Sequence, residues 1–151
     1  MLKKLLNTKM LKNQKGLTLI ELLAVIVILA IVAAIAIPAI GGVIENSRYN
    51  AVKSDAINVI NAAQLYYTDV PDATTPVTVQ TLLNEKYLDT AGKIPGDATV
   101  STTVPRTITT GAFSYTSSKN VTFNAASIEI ISADSQKGSS DGNKTVPKPA
   151  K

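Results

Sequence analysis

The residues best placed to do chemistry lie near the N-terminus, in Lys15-Gly16-Leu17-Thr18-Leu19-Ile20-Glu21. Glu21 stands alone there. Sixteen apolar residues follow without a break from Leu22 to Ile37, and the wider segment Leu17–Ile44 holds 28 residues with that single charge. A carboxylate in a membrane helix costs roughly 2.5–3.5 kcal/mol at the bilayer centre and less towards the edge. Neither a secretory signal nor a plain anchor gains from it, so Glu21 is expected to do more than snorkel to the interface. Other chemistry is poorly supplied. The 151 residues include no cysteine and no histidine, which excludes disulfides, thiolate or imidazole metal ligands and His-based triads. Phosphate loops, HExxH and GxSxG do not occur, and the seven acids from Glu45 to Asp97 are scattered rather than paired. The sequence points to no enzyme and no cofactor.

The element that must position Glu21 is a helix. About 20 helical residues cross a hydrocarbon core of ~30 Å, so the apolar segment is long enough to span. Five of the fifteen basic residues (Lys3, Lys4, Lys9, Lys12, Lys15) precede it with no acid among them. The rest of the chain sets ten basic against eleven acidic residues, one negative charge net. The overall charge of +4 therefore belongs to a short leading tract and does not describe a nucleic-acid surface. By the positive-inside rule the N-terminus stays in the cytoplasm and the chain beyond about residue 45 lies outside. Three fates compete for the segment: a secretory signal cut near Ala34-Ile35-Ala36, an uncleaved anchor, or a signal cut before the apolar run.

The stretch from Lys15 to Glu21, with the apolar run and Pro38 behind it, resembles the class III signal of type IV pilins and pseudopilins. The resemblance implies cleavage by a prepilin peptidase between Gly16 and Leu17, N-methylation of Leu17, and retention of the apolar helix in the mature protein. Leucine stands where phenylalanine commonly starts the mature chain, and the sixteen-residue leader is longer than in many members. Chemically these residues suit such roles. Gly16 leaves the scissile backbone unobstructed, and the new ammonium at Leu17 lies one turn from Glu21. In a bundle of helices that carboxylate meets a neighbour's ammonium, where a wrong register strands a buried charge. Pro38 deletes a helix hydrogen bond, and Gly41-Gly42 add backbone freedom. They mark either a kink or a segment that melts on leaving lipid.

Beyond Gly42 the apolar residues Val52, Ala56, Val59, Ala63 and Tyr66 or Tyr67 recur at steps of three and four. They predict an amphipathic continuation of the helix to about Thr68. A Pro/Asp/Thr loop follows over residues 70–76, then a short helix Val79–Leu88 capped by Thr78. The composition then turns to β-formers, and strands are expected at Thr99–Val104, Arg106–Thr110, Ala112–Thr116, Asn120–Asn124 and Ser127–Ser132. Ser117-Ser118-Lys119-Asn120 would be the clearest hairpin turn. Residues 135–151, rich in Gly, Ser, Lys and Pro with Val146 as their only aliphatic residue besides Ala150, are expected to be a disordered tail.

The expected class is α+β: a long N-terminal helix on a small antiparallel sheet. The expected organisation is a cleaved leader (1–16), a transmembrane or filament-core helix (17–44), a globular domain (45–134) and the tail. The function this implies is a prepilin that polymerises into an extracellular type IV pilus-like filament. Its partners would be identical or related pilins, the peptidase, an assembly platform and a motor ATPase. Its location would be a single-pass cytoplasmic membrane protein, N-in and C-out, and then a surface filament. A pseudopilin of type II secretion or competence is the alternative within the family; a monomeric membrane-tethered binding module and a secreted enzyme are the alternatives outside it. Lys119, Lys137 and Lys144 would touch DNA only in an uptake filament. Calcium at Asp69–Asp72 or Asp134–Asp141 is a minor expectation.

Overall fold

The computed structural model describes residues 18–148. Its longest element is helix α1 (Thr18–Asp69), which is shared between two compact units that meet at the Gly41/Gly42 peptide. Pro38 is accommodated inside the helix. The first unit is helix alone.

In the second unit α1 is amphipathic. Tyr49, Val52, Ala56, Val59 and Ala63 are fully buried on one stripe, at the three-and-four spacing that places them on one face. After α1 the chain forms β1 (Val77–Thr78), α2 (Val79–Asn84), β2 (Thr99–Val100), β3 (Thr107–Thr109), β4 (Phe113–Ser114), β5 (Asn120–Phe123), β6 (Ala126–Ser127), α3 (Ile128–Ala133) and β7 (Lys144–Val146). One sheet has the order β1-β2-β3-β6 and is antiparallel throughout. The other has the order β4-β5-β7, antiparallel between β4 and β5 and parallel between β5 and β7. Thr110 joins the two sheets: its N–H donates to the Phe123 carbonyl (2.9 Å) and its hydroxyl accepts the Phe123 N–H (3.0 Å). Val100, Ile108, Tyr115, Val121, Phe123 and Val146 share one core with the α1 stripe. The Tyr67 hydroxyl fastens the far end of α1, donating to the Val100 carbonyl (2.9 Å) and accepting the Val77 N–H (2.7 Å).

The α+β class and the long helix agree with the expectation, and three local assignments are corrected. The helix expected over Val79–Leu88 ends at Asn84. Thr78 caps it through the Thr81 N–H as foreseen, but Lys86 adopts a positive φ of 66° that terminates it, and Leu88 is buried from the turn beyond. The strand expected over Ser127–Ser132 is helix α3. Pairing with β3 stops at Ser127, whose hydroxyl then accepts the Ile130 N–H and starts a helical turn. The segment expected as a disordered tail is structured through residue 148: β7 pairs with β5 along Val121↔Lys144, Thr122↔Thr145 and Phe123↔Val146.

Candidate assembly site and its clasp

The unit that ends at Gly41 presents apolar side chains on every side. Leu19, Ile20, Leu22, Leu29, Ile35 and Ile37 are each 60% or more exposed. The most apolar 18-residue window of α1 has a mean hydropathy of 3.1 and no residue buried within the chain. By length and composition this helix is able to cross a membrane. Water does not tolerate a contiguous apolar surface of this extent; lipid or other apolar helices must cover it. Glu21 is exposed on this surface, a carboxylate acceptor presented among aliphatic side chains. Pro38 follows 17 residues later, about 25 Å along a regular helix. Gly41 has open space where a Cβ would stand, and at Gly42 a Cβ would meet Ser139 Cβ at an ordinary 3.6 Å. Packing does not demand glycine at either position; what glycine adds there is backbone freedom. Gly16 and Leu17, the residues of the expected cleavage, lie outside the described residues.

The second unit contains a cluster that local sequence patterns did not reveal. Residues 134–140 cross α1 over Glu45, Asn46, Tyr49 and Lys53. The Tyr49 hydroxyl donates to Asp134 Oδ2 at 2.7 Å, and the Lys53 ammonium donates to the Asp134 carbonyl at 2.7 Å. The Ser139 N–H donates to Asn46 Oδ1 (2.9 Å), the Tyr115 hydroxyl to the Gly138 carbonyl (2.8 Å), and Lys119 Nζ to Glu45 Oε2 (2.7 Å) and the Ser139 carbonyl (3.0 Å). Gly138 is required for this approach: a Cβ there would stand 2.5 Å from the Glu45 carbonyl oxygen and 2.6 Å from Tyr49 Cβ. Electrostatics follow the geometry. The hydrogen bond to Glu45 raises the Lys119 pKa; burial, then the bond to Asp134, raise that of Tyr49; burial raises that of Tyr115. Gly138, the tyrosines and the two acids, Glu45 and Asp134, carried no shared local signal, because the α1 side chains and their partners are 74 to 93 residues apart in the chain.

Two of the lysines considered for DNA contact are consumed in this arrangement. Lys119 is the pivot of the clasp, and Lys144 is 3% exposed with its ammonium donated to the carbonyls of Ser140, Asp141 and Gly142 at 2.9–3.1 Å. Lys137 alone of the three is exposed. Among the described residues no group of three acids gathers to hold a metal ion.

Residues 11–37 match the family described as the prokaryotic N-terminal methylation motif. The chain carries the type IV prepilin cleavage–methylation signal. The matched stretch takes in Gly16, Leu17 and Glu21 and ends at Ile37, just before Pro38. The motif supports, in general, a precursor of the type IV pilin-like or pseudopilin kind. The exposed apolar helix, most of which the matched stretch contains, fits membrane anchoring. No curated protein and no solved structure matches the chain.

Proposed function

We propose that the chain is the prepilin of a type IV pilus-like extracellular filament. It waits in the cytoplasmic membrane, N-in and C-out, loses residues 1–16 between Gly16 and Leu17, is N-methylated at Leu17, and polymerises through the apolar half of α1. The observation that carries this reading is the helix surface described above: apolar on all sides, unburied within the chain, bearing one acid, and lying largely within the matched stretch. In the packed filament Glu21 pairs with the Leu17 ammonium of a neighbour and so sets the axial register, since any other register leaves both charges unpaired in an apolar core. Pro38, Gly41 and Gly42 let α1 unwind locally as the subunit exchanges lipid for protein neighbours. A platform and a motor ATPase supply the assembly work.

Intact mass of the mature protein tests the first step. The expected product lacks residues 1–16 and carries one added methyl, about 14 Da. An intact N-terminus, or a product that begins after Ala36, overturns the reading. Electron microscopy of surface filaments then separates a pilus from the short pseudopilus of a secretion or competence system.

A further inference from the structure

Apart from Val43 and Ile44 beside Gly42, the large exposed aliphatic side chains of the second unit, among the described residues, are Leu65 (61%) and Val104 (83%). Each borders a groove. Val104 forms the lip of a groove of about 500 Å³ whose walls include Ile60 and Gln64 of α1, Pro105, Arg106, Ile128 and Glu129. Leu65 borders one of about 290 Å³, walled by Asn58, Ala62, Tyr87, Leu88 and Asp89. At about 100° per residue, Ile60 and Gln64 point to one side of α1's outward ridge, and Asn58, Ala62 and Leu65 to the other. The loop bearing Val104 is held in place. Arg106 donates to the carbonyls of Thr102 (2.8 Å) and Ser101 (3.4 Å) and stacks over the Tyr67 ring at 4.2 Å.

Scattered exposed aliphatic residues are ordinary on a protein surface. Here each one adjoins a groove, and the two flanks differ in shape and charge pattern: Arg106 beside Val104 with Glu129 in the same groove, and Asp89 as the one charged residue of the Leu65 groove. We propose that the two flanks of α1 are the two halves of one subunit–subunit interface, with Val104 of one copy seated in the Leu65 groove of the next and Arg106 facing Asp89. Glu129, on the Val104 side, then faces the polar rim of Asn58 and Asn61. A contact between two different patches is heterologous, and repeating it generates an open helical polymer rather than a closed dimer. An aliphatic anchor in a groove, ringed by polar groups, is the kind of contact that concentrates binding energy.

The inference rests on the polymer reading, and the experiment separates the two. The chain has no cysteine, so a full-length variant with Val104→Cys and Leu65→Cys reports proximity without background. Filaments of the double variant, treated with a short bis-maleimide, are expected to give a ladder of covalent oligomers, whereas either single variant gives none. A ladder from Val104→Cys alone shows a symmetric contact and overturns the proposal, as does normal filament without any ladder. Absence of filaments from the unaltered chain overturns the polymer reading itself. Val104→Asp is the second arm: the exposed site leaves folding and cleavage unchanged, while sheared filament yield falls at least roughly tenfold. Unchanged yield sinks the interface.

Discussion

Between Thr18 and Gly41 the chain exposes Leu, Ile and Val on every side of a helix, with Glu21 as the one charge. From Gly42 onward the same helix buries one stripe completely, and among the described residues each buried polar side-chain atom has a hydrogen-bond partner. The second unit satisfies itself; the first is left to be satisfied by something else. The difference lies in which residues vary along one continuous helix. A run of sixteen apolar residues has no face to hide, whereas a three-and-four spacing interrupted by Lys, Asp and Asn defines one. Contacts within the chain hold the domain, and surfaces without such contacts are left for partners or lipid to cover.

The largest effect should come from breaking the first unit while leaving the second alone. Glu21→Val keeps the helix apolar and removes the only charge, so insertion and cleavage persist and the domain folds as before. Filaments are expected to disappear, because the Leu17 ammonium then has no partner in the apolar core. Immunoblots for processed subunit alongside electron microscopy check this. Normal filaments from the variant would remove the register role of Glu21 and, with it, much of the contrast between the units.

A smaller effect should come from breaking the second unit at its tightest point. Gly138→Ala forces a methyl against the Glu45 carbonyl and Tyr49, and overpacking of this kind costs about 1–3 kcal/mol. Gly42→Ala makes only ordinary contact and should stabilise a helical position by about 0.5–1 kcal/mol. Denaturant unfolding of the detergent-solubilised chain, followed by circular dichroism, measures both. Opposite signs sharpen the view that one glycine serves close packing and the other backbone freedom. Equal and small changes would mean that the clasp yields easily.

How much of this was legible in the sequence follows the range of the interactions involved. The apolar run, Glu21, the amphipathic continuation and the Thr78 cap are written in residues within four positions of one another, and each is found where the spacing put it. The hairpin around Ser117–Lys119 is of the same kind, with the Tyr115 N–H donating to the Lys119 carbonyl at 3.2 Å. Ile128-Glu129-Ile130-Ile131 misled because three β-branched residues suit a strand, yet the strand has no partner beyond Ser127, and a capped helical turn satisfies the backbone instead. Residues 135–148 misled for a different reason. Their composition offers little apolar surface to bury, and what orders them is a parallel pairing with β5, the carbonyl cradle of Lys144 and contacts to α1 some 80 to 90 positions earlier. No local window contains those partners.

The smallest effect concerns the charge state of the second unit, whose buried tyrosines and paired lysines have no counterpart between Thr18 and Gly41. Burial raises the pKa of Tyr49, Tyr67 and Tyr115 above the ordinary phenolic value near 10. Above about pH 10 the unfolded chain releases these protons and the folded chain retains them, so stability falls as pH rises. Lys119, its pKa raised by Glu45, acts in the same direction: its pairing is fully present below the unfolded lysine value and is lost as pH climbs through the raised one. Lys144, lowered by burial, opposes them, since the folded chain sheds that proton first. The expected result is an alkaline limb that descends above about pH 10. Tyr115→Phe should make that limb shallower while costing about 1 kcal/mol at neutral pH for the lost bond to the Gly138 carbonyl. Urea midpoints measured from pH 7 to 11 decide it. An unaltered alkaline slope in the variant would mean that Tyr115 ionises as readily folded as unfolded, and that the clasp is more open to water than its contacts imply.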